Sequence, residues 1–240
     1  MAIRNIFVTI ASSSGLIKLL RVTTKDKYSM SALLKQLHAM AINKVQPPDE
    51  LLALYNWIEE NGFIEEYNDG FLYGRISHDW EYTPDITFTA SHQDSIHYWF
   101  DLPTVTEEIA SRLVIFASSG MDGSMLGMWL DDDKQVRFVH LGSGSGSMLC
   151  CIIANNARDF LSLLAIGYAE IGDVHDFSLP PEELGNKPKL NTLFLDWLKR
   201  EFYITRPRNA SLIVKRPAEI GSKTTKDPFC QWCNKQFKNI

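Results

Sequence analysis

The sequence predicts an α+β fold in which a central, mainly antiparallel sheet, a meander, is flanked by helices. Between residues 112 and 153 four β-rich runs follow one another across short turns, without the helical crossovers that parallel strands need. Apolar residues at three- and four-residue spacing lie before and after this stretch rather than inside it. The 240 residues are 45% apolar and 22% charged, enough for a core without disulfide or metal staples.

The first elements are helical. Met30, Leu33, Leu34, Leu37, Ala41 and Ile42 predict an amphipathic helix over 29–44, stopped by Pro47 and Pro48. Asp49 opens a second helix through Leu51, Leu52, Leu54, Tyr55 and Ile58, closed by Asn61 and Gly62. Runs 63–67 and 71–76 around Asn68, Asp69 and Gly70 predict a hairpin, because a tight turn needs positive φ. Two helices and a hairpin also describe a winged helix, but Glu59, Glu60, Glu65, Glu66 and Asp69 would repel phosphate.

Residues 77–100 show no clear period, and Thr104 with Glu107 has capping-box spacing for a short helix over 104–111. Strands are expected over 112–118, 124–130, 136–141 and 148–153, with turns over 119–123 and 131–134 and a Gly/Ser loop over 142–146. Asn156 caps a helix striped by Phe160, Leu161, Leu164, Tyr168 and Ile171 and ended by Gly172. Asn191 caps another through Phe194, Trp197, Leu198 and Phe202, and the basic tail from Ile204 is expected to lie over the surface.

The net charge of −5 is unevenly laid out. Residues 1–60 carry +2, 61–130 carry −9, 131–190 carry −4 and 191–240 carry +6. Phosphate binding needs clustered positive charge, so no direct nucleic-acid role is expected of the chain. The apolar run from Ile6 to Ala11 is broken by Thr9 and meets no small-x-small cleavage site, so the start reads as a strand or an ordinary chain start. No apolar stretch approaches the roughly 18–20 residues of a membrane span, and a cytoplasmic protein without a membrane partner is expected.

Candidate chemistry is sparse. Residues 142–146 (GSGSG) have neither the spacing of a phosphate-binding glycine loop nor a following helix N-terminus to face an anion. His92, Asp94 and His97 could serve a metal-dependent hydrolase, but the i, i+5 histidines do not share a helical face. His140, ending a strand, reads as an edge or partly buried residue. The pair Cys230 and Cys233 supplies two zinc ligands where four are needed, and with adjacent Cys150 and Cys151 it reads as buried, idle thiols. No cofactor is implied, and no G-x-S-x-G nucleophile motif occurs.

The stretch 116–172 resembles the SUKH superfamily, whose members include a fungal cell-wall assembly regulator and many bacterial immunity proteins. The residues concerned are FASSGMDGS at 116–124, MWL at 128–130, VHLGSGSGS at 139–147 and ANNARDFLSLLAIGYAEIG at 154–172. FLDW at 194–197 and DPF at 227–229 are similar to C-terminal motifs of bacterial members. The chain departs from the pattern at Ser145, where many members are acidic, and lacks the early Leu-Pro-x-x-Tyr motif.

The resemblance implies a SUKH-like core over 101–240, with a C-terminal helix and basic tail, and a divergent helix-and-hairpin portion over 1–100 packed on it. It implies structural roles for Gly120, Asp122, Gly123, Trp129, Gly142, Ser143, Phe160, Leu161 and Leu164. It also implies a non-enzymatic protein-binding module, an immunity protein that sequesters a cognate toxin domain such as a nuclease; a regulatory scaffold of the same fold is the alternative. An acidic surface suits a basic nuclease cleft. The expected face comprises Glu65, Glu66, Asp69, Asp79, Asp85, Asp94, Asp101, Glu107 and Glu108.

Overall fold

The four β-rich runs become β6 (Leu113–Ser119), β7 (Met125–Leu130), β8 (Val136–Leu141) and β9 (Cys150–Ala154), paired antiparallel in chain order. They are seen in a computed structural model that describes residues 6–8, 20–22, 31–40, 45–78, 82–93 and 95–237. The predicted hairpin supplies β3 (Ile64–Glu66) and β4 (Leu72–Gly74), joined by a loop that Tyr67 N–H closes onto the Phe71 carbonyl at 3.3 Å. The unperiodic stretch contains β5 (Ile86–Phe88), which joins hairpin to meander. Its three residues are all buried, too short a run for alternation to register in sequence. One seven-stranded sheet, β3 through β9 in order, therefore runs across residue 100. A separate antiparallel pair joins β1 (Ile6–Val8) to β2 (Leu20–Val22).

One face of this sheet is covered by helices α1 (Ala32–Met40), α2 (Asp49–Glu60) and α5 (Ala157–Ile166). Tyr55 of α2 meets Phe88 edge-on at 5.8 Å. Phe160 of α5 stacks on Phe138 at 4.6 Å and meets Phe116 edge-on at 5.6 Å. Leu161 and Leu164 are buried with it. Gly74 makes the close approach possible: a Cβ there would stand 2.7 Å from Leu33 and 3.0 Å from Ile58. Asn156 does cap α5, accepting from Asp159 N–H at 2.9 Å.

Several boundaries differ from those predicted. Helix α5 ends at Gly167, not Gly172, because φ of +82° at Gly167 breaks the helical ladder. Tyr168 and Ile171 extend the apolar stripe because later segments bury them; the Tyr168 hydroxyl donates to the Leu179 carbonyl at 2.8 Å. Helix α4 (Glu107–Arg112) is capped by Thr106, whose hydroxyl accepts from Ile109 N–H, rather than by Thr104. Helix α6 (Thr192–Phe202) begins at its expected Asn191 cap.

The largest correction is the basic tail, which does not simply lie over the surface. It ends in α7 (Pro228–Gln236), capped by Asp227 and burying Phe229, Cys230, Trp232 and Cys233. Trp232 and Phe229 pack on Trp129 at 5.7 and 5.5 Å, on the sheet face opposite α5. Ahead of α7 the chain protects β9: Cys150 N–H donates to the Ala218 carbonyl at 2.7 Å, and Ile152 N–H to Asp227 at 3.1 Å. A nine-residue helix with two apolar pairs shows too little periodicity to mark a core element in sequence. All four cysteines are free and buried, and burial pushes the Cys151 thiol upward.

His140 is likewise corrected: it sits fully buried on β8 between β7 and β9, not at an edge. Its Nδ1 lies 2.9 Å from the Leu149 carbonyl, and Nε2 has no hydrogen-bond partner among the described residues. Burial pushes its pKa down to about 4. The neutral ring therefore contributes stability fully above the unfolded value of 6.5, and that stability is lost as pH falls towards 4. Urea titrations should show about 3 kcal/mol of loss across that window. His140→Asn, which keeps a donor for Leu149, should flatten the slope; an unchanged slope would refute the assignment.

Candidate functional site

The helices of one face and α7 on the other leave part of the sheet bare. Opposite α1 and α2, strands β3 to β6 line an open cleft of about 630 Å³. Alternation explains its walls, since residues two apart on a strand share a face. Phe63, Glu65 and Tyr67 come from one arm of the hairpin, and Tyr73 and Arg75 from the other. Asp85, just before β5, and Thr87 within it follow, alternating with the apolar Ile86 and Phe88. A β-bulge between Ile115 and Ala117 shifts the phase of β6, so Ser118 faces the cleft beside Thr87.

Two tyrosine–carboxylate pairs stand at the hairpin. The Tyr67 hydroxyl donates to Glu65 Oε2 at 2.8 Å, and this bond pushes the phenol pKa upward. The Tyr73 hydroxyl donates to Asp69. That bond, with Phe71 N–H at 3.0 Å, holds the Asp69 carboxyl below its usual range. Tyr67 and Tyr73 meet edge to face at 5.0 Å, as do Phe63 and His78 at 4.7 Å. On the floor, Arg75 donates to Thr87 Oγ1 at 3.0 Å. Burial raises the pKa of the nearby Asp85 carboxyl, and the Arg75 charge opposes the rise.

The 120–123 turn forms part of the rim, braced from behind by the 142–147 loop. Asp122 accepts from Ser124 N–H at 2.9 Å and from the Ser124 and Ser143 hydroxyls and Ser147 N–H at 2.8 Å each. Burial raises this carboxyl, but the hydrogen bonds outweigh it and hold it below the usual range. One aspartate thus ties the 120–123 turn to the 142–147 loop. Gly120 has φ of +88°, and a Cβ there would stand 2.4 Å from Glu170; one at Gly142 would stand 2.4 Å from the Ser147 carbonyl. Gly123, at φ of +90°, closes the turn. The turn holds Met121 at the cleft mouth with 89% of its surface exposed.

The expected acidic face divides. Glu65, Asp69 and Asp85 line the cleft together. Glu66, paired with Leu72 and adjacent to Glu65, projects from the other side of the sheet. Glu107 and Glu108 lie at the far end of β6, about 20 Å from the cleft at some 3.3 Å per strand residue. Glu108 is engaged there, accepting from Trp232 Nε1–H at 2.9 Å and pairing with Arg112 at 3.1 Å. Arg112 in turn lies over the Trp129 ring at 4.9 Å. Asp101 is exposed beside α3 (Ile96–Trp99), and Asp79 and Asp94 lie outside the described residues.

His92 is half-buried, and the His97 ring lies 3.9 Å from that of Tyr98 at a tilt of 39°. No group of three His, Cys, Asp or Glu side chains able to hold a metal occurs among the described residues. No helix among them is long and apolar enough to cross a membrane. The sequence reading missed Phe63, Tyr67, Tyr73 and Met121. Alternation along the hairpin was the available signal, because Phe63, Glu65 and Tyr67 are spaced by two, as are Tyr73 and Arg75. No family model, curated protein or solved structure matches the chain.

Proposed function

We propose that the chain is a non-enzymatic binding protein, an immunity protein that sequesters and neutralises a cognate toxin domain, with the cleft as its contact surface. The observation that carries this reading is an uncovered sheet face combining aromatic side chains with Glu65, Asp69 and Asp85. Aromatic area supplies binding energy at low entropic cost, and carboxylates select a basic partner and speed encounter. The resemblance of 116–172 to immunity proteins supports the same reading. A nuclease presents such a basic surface, because its own substrate is a polyanion. The encounter then takes place in the cytoplasm, where a nuclease would meet nucleic acid.

Co-expression with a candidate toxin domain taken from the adjacent reading frame tests this. The tagged chain should co-purify with that domain as a stoichiometric complex and relieve the growth arrest that the domain causes alone. Persistent arrest with no complex would overturn the proposal.

A further inference from the structure

The cleft's chemistry is more specific than acidity. Three carboxylates, Glu65, Asp69 and Asp85, surround a single guanidinium, Arg75, so the site holds a surplus of negative charge. The carboxylates do not stand alone, because aromatic rings form the wall between them. In each edge-to-face pair, Tyr67 with Tyr73 and Phe63 with His78, one ring keeps both of its faces clear of its partner. A π face attracts a cation, more strongly where water is partly excluded. Glu65 commits Oε2 to Tyr67, and no protein donor reaches its Oε1 among the described residues.

We propose that the cleft is a receptor for an arginine side chain presented by a protein partner. Its guanidinium would stack on the aromatic wall and hydrogen-bond to Glu65 and Asp85. The partner's role as a toxin rests on the function proposed above, whereas the arginine specificity rests on the cleft alone. A planar fork of five donors can lie flat on a ring and reach carboxylates from two strands at once. An ammonium is a compact, strongly hydrated point charge and matches only the electrostatic part of the site. A volume of about 630 Å³ takes the side chain with its flanking backbone. Exposed Met121 at the mouth offers an adaptable apolar contact to residues beside the arginine.

The experiment uses N-acetyl-arginine methylamide, titrated into the whole chain and followed by amide NMR. Saturable binding in the millimolar range is expected, with shifts confined to residues 63–87 and 118–121. Asp85 carboxyl titration should move to lower pH when the probe is bound, since a neighbouring cation favours the ionised form. Glu65→Gln and Asp85→Asn should each weaken binding about 5–10-fold, the range for losing one charge-assisted hydrogen bond. Two results would overturn the proposal: no saturable shift, or equal binding of the uncharged citrulline analogue or of the lysine analogue. Failure of the two ideas is separable. Arginine binding without toxin capture removes the toxin reading and leaves the receptor. Toxin capture that both variants leave unchanged, with no arginine binding, removes the receptor alone.

Discussion

Glu65→Lys should weaken capture of the partner by about 100-fold, close to 2.7 kcal/mol, while Glu66→Lys leaves it within about twofold. The two residues are adjacent in sequence and equal in charge, yet strand alternation sends them to opposite faces of the sheet. Glu65 lines the cleft and receives the Tyr67 hydroxyl; Glu66 stands opposite Leu72 on the side where α1 and α2 pack. Both are exposed, so thermal unfolding should register either reversal only slightly. Calorimetric titration against the proposed partner domain gives the comparison, with raised salt reducing the difference. Equal losses at the two positions would show that overall charge, not the cleft, drives association.

Phe160→Ala should lower the unfolding free energy by about 3–5 kcal/mol in urea titrations. Phe160 is fully buried and joins two strands to α5, stacking on Phe138 and meeting Phe116 edge-on. Phe116 and Phe138 also meet each other, at 5.8 Å, so one truncation removes contacts from a three-ring cluster and leaves a cavity. Met121→Ala, at the exposed mouth of the cleft, should change stability by less than about 0.5 kcal/mol. A loss below about 1 kcal/mol at Phe160 would mean that the core closes around the gap.

Much of the fold was legible because its signals are local. Asn156 and Asn191 identified helix starts through hydrogen bonds that span only two or three residues. The glycines of the 120–123 turn marked a tight turn, and both adopt the positive φ that glycine takes without steric cost. Glu65, Asp69 and Asp85 were among the expected acids, and the cleft gathers those three. Glu107 and Glu108 were grouped with them by a segment charge count, which carries no information about distance in space. Helix α7 escaped notice because its partners, Trp129 and Cys150, lie some eighty to one hundred residues earlier in the chain.

The sequence by itself determined the meander, its helical flanks and the polarity of its charge, since turn chemistry, caps and apolar spacing act over a few residues. Only the tertiary structure decided which of the two faces stays open. That choice depends on where α1, α2, α5 and α7 find apolar surface to bury, and on a bulge that turns Ser118 towards the cleft. Burial is settled between segments far apart in the chain, so the cleft exists only once the helices have been placed.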